Sequence, residues 1–460
     1  MTRCLFFPLL MTVLLVVVTG KKQHSNKECN GFIYLFFSFR LKLNALIGIC
    51  FLAFMSSMPV FAQQDRTFQS IKTIDPAYTD FSDLNALKKA IGSNRVVVLA
   101  EQDHGDGSTL LAKTRLVKFL HQQMGFNVIA FEADFYTTEG LAKQNPGSFD
   151  KQFRGQLFPF WSATKEMDPF WRYIDSVNKK GKKIHLAGFD TQLNTDYARQ
   201  HFSADVRKLM GRMSIGFDTI SFYNILDTLL HGRNPAGISK EQQQFFFSCL
   251  DTMKKQQSKT SSPSLIEMIQ FKAQQSFYRR YRERNMAVNL AHVVSQKYPN
   301  KKVIVWTASY HGIKDMEALW QYSVANEGRY SNAADKDSIE AMAQILQRKH
   351  HVPSYVLNMV SLSGSYTPTA WTGITNPPAA VSVSKGGVED NIVQYAADYG
   401  FVNLRTLPPD HWLRQPIEMI PYLHHRNFKA VWPKVFDGLF FIKNMQPLTP
   451  IQVDRQNAQQ

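Results

Sequence analysis

An α/β fold, with a mostly parallel central sheet flanked by helices, is predicted by three observations. Short apolar, β-branched-rich runs recur at residues 95–100, 127–131, 183–189, 303–307 and 354–360. Most are apolar throughout rather than alternating, as in strands buried on both faces. Helical patterns separate them, an order that builds parallel strands joined by helical crossovers. Several of the runs also end in chemistry-bearing residues, where open α/β sheets keep their ligand sites.

Composition agrees with a folded chain. The 460 residues are 44% apolar and 20% charged, ordinary values for a globular protein with a full core. The formal charge is +16 and drops to +11 without residues 1–62. No long Lys/Arg run with interleaved aromatics accompanies it, so the excess reads as a solvated basic surface and no nucleic-acid partner is expected.

Residues 41–62 read as a secretory signal. Arg40 and Lys42 head an apolar segment that ends in Val60-Phe61-Ala62 before polar Gln63-Gln64-Asp65. Export to the periplasm or medium, with cleavage after Ala62, is the expectation; an uncleaved anchor is the other reading, and no further membrane contact is expected. A second apolar run at 5–18 reads as an upstream extension. Cys4, Cys29 and Cys50 all precede the cleavage point, which leaves Cys249 alone and excludes an intramolecular disulfide.

The elements are taken in chain order. Residues 63–80 form a polar lead-in and 83–91 a short amphipathic helix. The strand 95–100 runs into Glu101-Gln102-Asp103-His104-Gly105. Ser108 is placed to cap a helix reaching Met124, and Gly125 to end it. The strand 127–131 ends in Glu132-Ala133-Asp134, and a right-handed crossover would bring Glu101, His104 and Glu132 together. Residues 153–171 are rich in Phe and Trp, either core or pocket wall. A helix at 169–180 leads to the strand 183–189 and Asp190. From 194 to 298 helical patterns dominate, at 204–213, 238–258 and 264–298. After the strand 303–307 comes Ala308-Ser309-Tyr310-His311-Gly312. A helix at 338–349, the strand 354–360, a Gly/Pro/Thr-rich loop at 364–381 containing Trp371, a helix at 390–399 and a short strand at 401–404 complete the pattern. The predicted organisation is thus 1–62 extension and signal, 63–193 and 301–445 two parts of one catalytic α/β domain, 194–300 a helical insertion or cap over the carboxyl ends of the strands, and 446–460 a polar, frayed tail.

Two of these segments align with each other. V-V-V-L-A-E-Q-D-H-G at 96–105 and V-I-V-W-T-A-S-Y-H-G at 303–312 match without a gap and share the terminal His-Gly, a weak internal repeat. Five residues then share strand-end positions: Glu101, His104, Glu132, Asp190 and His311. A histidine polarised by a carboxylate can take a proton from water, and the same residue types can ligate zinc, manganese or iron. Glu132, directly after a buried strand, requires a partner, for which His104 or Lys113 is suited. His121, His185, His292 and the His350-His351 and His424-His425 pairs lack such placement and read as surface or core. No Gly-x-Ser-x-Gly, His-Glu-x-x-His, P-loop or Gly-x-Gly-x-x-Gly occurs.

V-V-V-L-A-E-Q-D-H-G, the helix with Lys113 and Arg115, G-F-N-V-I-A-F-E-A-D, G-F-D-T-Q at 188–192, R-E-R-N-M-A-V-N at 282–289 and V-I-V-W-T-A-S-Y-H together resemble the erythromycin esterase family. The resemblance implies hydrolysis of an ester, in named members a macrolide lactone, by histidine-assisted water attack with no covalent intermediate and no cofactor. It implies His104 as base, Glu101 as its orienting carboxylate, and Glu132 and His311 as further catalytic groups. Lys113, Arg284 and Asp190 become candidates for contact with a small-molecule ester. Ala100 replaces the family's glycine, Asp103 its threonine, and Thr307-Ala308-Ser309 its Ala-His-Asn. These departures leave the His–Glu pair intact and the substrate open. Wider relatives include haem-binding ChaN-like proteins, so a metal- or haem-binding protein, or a metal-dependent hydrolase, is the alternative.

Overall fold

The computed structural model describes residues 67–143, 152–231, 235–257, 263–278, 281–322, 340–369, 376–395, 398–422 and 426–451. The signal, the run at 5–18, Trp371, His424-His425 and the tail from 452 lie outside the described residues.

The strands are β1 (Phe68–Ile71), β2 (Val96–Glu101), β3 (Phe126–Asp134), β4 (His185–Asp190), β5 (Lys302–Ala308), β6 (Tyr355–Tyr366), β7 (Ala379–Ala380), β8 (Tyr399–Asn403), β9 (Ile417–Met419), β10 (Phe428–Ala430) and β11 (Gly438–Met445). Nine of them form one sheet, ordered β1-β8-β11-β6-β2-β5-β3-β4 with β7 on the end of β6, while β9 and β10 make a separate ribbon. From β11 to β4 every pairing is parallel; β8 runs against β11, and β1 against β8. The predicted fold class is the observed one.

The longer helices are α1 (Asn85–Ile91), α2 (Gly107–Met124), α3 (Phe135–Lys143), α4 (Asp168–Lys179), α5 (Asp196–Met210), α6 (Thr219–His231), α7 (Lys240–Gln256), α8 (Leu265–Phe277), α9 (Tyr281–His292) and α10 (Met342–His350). Both sheet faces are covered, which is why β2 reads as an unbroken apolar run. Val96, Val98 and Ala100 join Met286 and Leu290 of α9 and Leu346 of α10. Val97 and Leu99 face Leu116 and Leu120 of α2 and Trp171 of α4. Helices α5 to α8 share a third apolar cluster around Phe202, Phe222, Phe246 and Ile269.

The structure changes several expectations. β5 lies between β2 and β3, so the first strand–helix–strand unit skips one position in the sheet. The predicted 264–298 helix breaks at Tyr278, whose extended backbone turns the chain into α9. Helix α6 and strands β1 and β11 have no counterpart in the sequence reading, and the predicted 390–399 helix is only Val388–Ile392 before β8 begins. Ser108 lies inside the first turn of α2 rather than at its cap; Asp106 holds the cap position, and the Ser108 hydroxyl accepts from the Gln446 amide at 3.0 Å.

That last contact belongs to a seam that pins the chain after β11. The Gly107 amide donates to the Gln446 carbonyl at 2.9 Å, Lys165 N to Thr449 O at 3.0 Å, and Ile451 N to Ala163 O at 2.9 Å. Leu448 is buried. Residues 446–451 are therefore packed, not frayed. Gly105 is equally constrained: a Cβ there would lie 1.7 Å from the Thr367 carbonyl oxygen, so only glycine lets β6's extension close over the turn that carries His104. Truncation after Met445 is expected to lower stability by about 2–4 kcal/mol, from the loss of Leu448 burial and these hydrogen bonds. Thermal unfolding of the truncated chain checks it; an unchanged midpoint would mean the seam contributes nothing.

Candidate active site

The carboxyl ends of four neighbouring parallel strands supply the site. β2 ends in Glu101, β5 in Thr307 and Ala308 and β4 in Asp190, and Glu132 lies two residues before the end of β3. The ladder pairs Val96 with Val303 and continues to Glu101 opposite Ala308. That is the register of the internal sequence repeat, so His104 and His311 come just after equivalent ends of adjacent strands.

Around Glu101 the geometry is tight. Its carboxylate is fully buried. Oε1 accepts His104 Nδ1–H at 2.7 Å and the Trp161 indole N–H at 3.1 Å, while Oε2 is bound by Lys113 Nζ. Because a carboxylate accepts at Nδ1, the neutral imidazole carries its lone pair on Nε2. Among the described residues no group bonds Nε2, and the His104 side chain keeps 23% exposure. Burial pushes His104 down, but the hydrogen bond and charge of Glu101, aided by Glu132 and Asp103, outweigh it and raise its pKa above the ordinary 6.5.

A second centre forms around Glu132. His311 Nε2 lies 3.0 Å from Glu132 Oε1 and its Nδ1 2.8 Å from Glu283. Arg282 donates Nη2–H to Glu132 at 2.9 Å and to Asp190 at 2.8 Å. Thr307 Oγ1 (2.8 Å) and the Ala308 amide (3.1 Å) hold Glu132 Oε2. Burial opposes charge on Glu132, yet His311 and then Arg282 keep it well below the carboxylate range. Burial likewise lowers His311, but Glu132 and Glu283 raise it to about 10, so at neutral pH it is an imidazolium. The 3.3 Å approach of Arg282 Nη1 to His311 Nε2 is then a contact between two donors. Three carboxylates surround these two cations, which is what allows them to sit so close.

One lysine joins the centres. Lys113 Nζ binds Glu101 and donates to the Thr307 carbonyl at 3.0 Å. Burial lowers its pKa against the pull of Glu101.

Of the sequence candidates, Glu101, His104, Lys113, Glu132, Asp190 and His311 all enter this network. Lys113 is sealed behind Glu101, and Asp190 is taken up by Arg282, the Thr191 amide (2.7 Å) and Gln192 Nε2 (2.9 Å). Both buttress rather than face an open site. Glu132 takes its partners from β5, from His311 just after it and from α9 instead of His104 or Lys113, because β5 separates β2 from β3. Arg284 is exposed: two residues along an α-helix is about 200° of rotation, so Arg282, not Arg284, turns inward. Glu283, Thr307 and Trp161 were not anticipated; the adjacent Arg282-Glu283 pair opening the Arg-Glu-Arg-Asn motif was the available signal. Among the described residues no group of three or more His, Cys, Asp or Glu could hold a metal ion.

The erythromycin esterase family profile matches residues 121–445. The chain belongs to the erythromycin esterase family. The match opens inside α2, so Glu101, His104 and Lys113 precede it. Over 415 residues the chain is 21% identical to "Putative hydrolase YbfO" of Bacillus subtilis (strain 168), covering 81% of this chain and 89% of that one. Family and relative together make it a hydrolase of this family. A Bacillus cereus protein of known structure superposes with a TM-score of 0.63 at 19% identity, over 84% of this chain and 97% of its own. An erythromycin esterase variant in an open conformation gives 0.61 at 14% identity, over 84% and 100%. Both share the fold.

Arg282→Ala would leave Glu132 and Asp190 buried without their shared cation, a loss expected to cost about 3–5 kcal/mol. Arg284→Ala should stay within about 0.5 kcal/mol of wild type. Denaturant unfolding of the two variants side by side tests the assignment, and equal losses would reject it.

Proposed function

We propose that the protein hydrolyses a carboxylic ester or lactone by direct attack of water, with His104 as general base and no covalent enzyme intermediate. The observation that carries the reading is the state of His104: Nδ1 is committed to buried Glu101, while Nε2 is unbonded among the described residues and part-exposed. In the first step Nε2 takes a proton from water as the water oxygen bonds to the carbonyl carbon. The carbonyl oxygen becomes the oxyanion of a tetrahedral intermediate, to be stabilised by donors aimed at it. Collapse breaks the bond to the alcohol oxygen, and the proton on Nε2 passes to that leaving oxygen. The Nδ1 proton stays on the histidine throughout, oriented by Glu101.

Ester and lactone chemistry is the family's implication for these residues; a macrolide is one candidate substrate, with Asp103 and Ala308 the departures nearest the site. Export with cleavage after Ala62 belongs to the same proposal. N-terminal sequencing of the protein recovered from its producing cells should find Gln63 first; a chain still carrying residues 41–62 would contradict it.

His104→Ala is expected to reduce hydrolysis at least about 100-fold in an ester and macrolide panel, with unchanged circular dichroism. Retained activity would end the proposal. Since His104 is raised and must be neutral to act, kcat/KM should climb along an alkaline-shifted limb, with its midpoint above 6.5. Glu101→Gln removes the raising charge, so the limb should move down in pH while the plateau falls.

A further inference from the structure

The aromatic-rich segment before α4 has a sharper role than core or wall. Phe158 precedes a one-turn helix, Pro159–Ser162. Phe160 lies flat on the His104 imidazole, with ring centroids 4.2 Å apart and planes 5° apart. Trp161 meets the same ring edge-on at 5.4 Å and 89°, and its Nε1–H reaches Glu101 Oε1 at 3.1 Å. A single turn therefore gives the pair a face, an edge and a hydrogen bond. The last is selective. The buried indole nitrogens of Trp171 and Trp306 have no partner among the described residues, so this core tolerates an unbonded indole N–H, yet that of Trp161 is aimed at the carboxylate behind the base.

We propose that Trp161 is a positioning residue for the hydrolysis set out above, resting on the reading of His104 as base: its indole N–H fixes Glu101 Oε1 and takes up part of the carboxylate's charge, which sets how tightly Glu101 holds the His104 proton. Oε1 is shared by His104 and Trp161, and Lys113 draws on Oε2. A carboxylate divided among three donors accepts less strongly from each, and inside a protein that competition is larger than in water. Without Trp161, Oε1 belongs to His104 alone. The imidazolium is then stabilised, and the base is freed only at higher pH.

The test uses Trp161→Phe in the full chain, which keeps an aromatic ring and removes the donor. His104 is titrated by NMR with isotope-labelled histidine, a readout that needs no substrate, and the pH dependence of ester hydrolysis is measured beside it. The expected result is an upward shift of the His104 midpoint by about half a unit to one unit. The activity limb should move with it, and the plateau should fall less than the rate at pH 7. In a Glu101→Gln background the same substitution should shift nothing further. An unchanged or lowered midpoint in folded Trp161→Phe overturns the proposal, and so does an equal shift in both backgrounds. Should the variant not fold, the wild-type Trp161 indole resonance serves: it should resist solvent exchange and move with the His104 titration, and a freely exchanging resonance that ignores His104 overturns it. A shifted midpoint in a protein that cleaves no ester would refute the proposed hydrolysis while leaving the Trp161–Glu101–His104 coupling in place.

Discussion

Three carboxylates of the site, Glu101, Glu132 and Asp190, are buried toward the carboxyl ends of β2, β3 and β4, and burying a charge without a partner costs several kcal/mol. The surroundings of the site are shaped by meeting that demand. Glu101 takes a lysine from the second turn of α2, and Glu132 and Asp190 take an arginine from the start of α9. Lys113 is fully buried, and the Arg282 side chain is mostly so. Arg282 comes just after the break at Tyr278, in the first turn of α9, and from there it reaches Glu132 and Asp190.

Placing β5 between β2 and β3 converts two separate ion pairs into one network. Thr307 lies next to both strands, its carbonyl accepting from Lys113 and its hydroxyl donating to Glu132. The charge of Glu132 also contributes to raising His104. The backbone amide of Ala308 donates to Glu132 directly.

Much of this was legible in the sequence because parallel strands buried on both faces announce themselves as apolar runs. β2, β3, β4, β5 and β6 do so, and a polar residue at the end of such a run stands out at once. β1 was missed because it is a polar edge strand of four residues, Phe-Gln-Ser-Ile, with only its ends buried. β11 is as apolar as β5, but it comes after a Pro- and His-rich region that reads as loop. The site divided along a similar line. Glu101, His104, Glu132, Asp190 and His311 are fixed by strand ends. Arg282 and Glu283 approach from a helix whose facing depends on where the preceding helix stops, and local periodicity does not report that. Trp161 depends on a one-turn helix too short to leave a pattern.

The repeat raises the question of why two histidines in equivalent positions do different things. Both come after an apolar strand in matching register and both precede a glycine, so the difference must come from their neighbours. His104 is hydrogen-bonded to one carboxylate, which Lys113 and Trp161 also bind, and it keeps Nε2 unbonded among the described residues. His311 is held at both nitrogens by carboxylates that Arg282 only partly neutralises, and is raised to about 10. An imidazole committed at both nitrogens cannot take a proton at neutral pH, whereas one committed at a single nitrogen can. The sheet presents the same residue twice; the carboxylates around each decide which is suited to be a base and which a fixed cation. The acid that commits the second nitrogen of His311 is Glu283, which comes from α9 and not from the sheet.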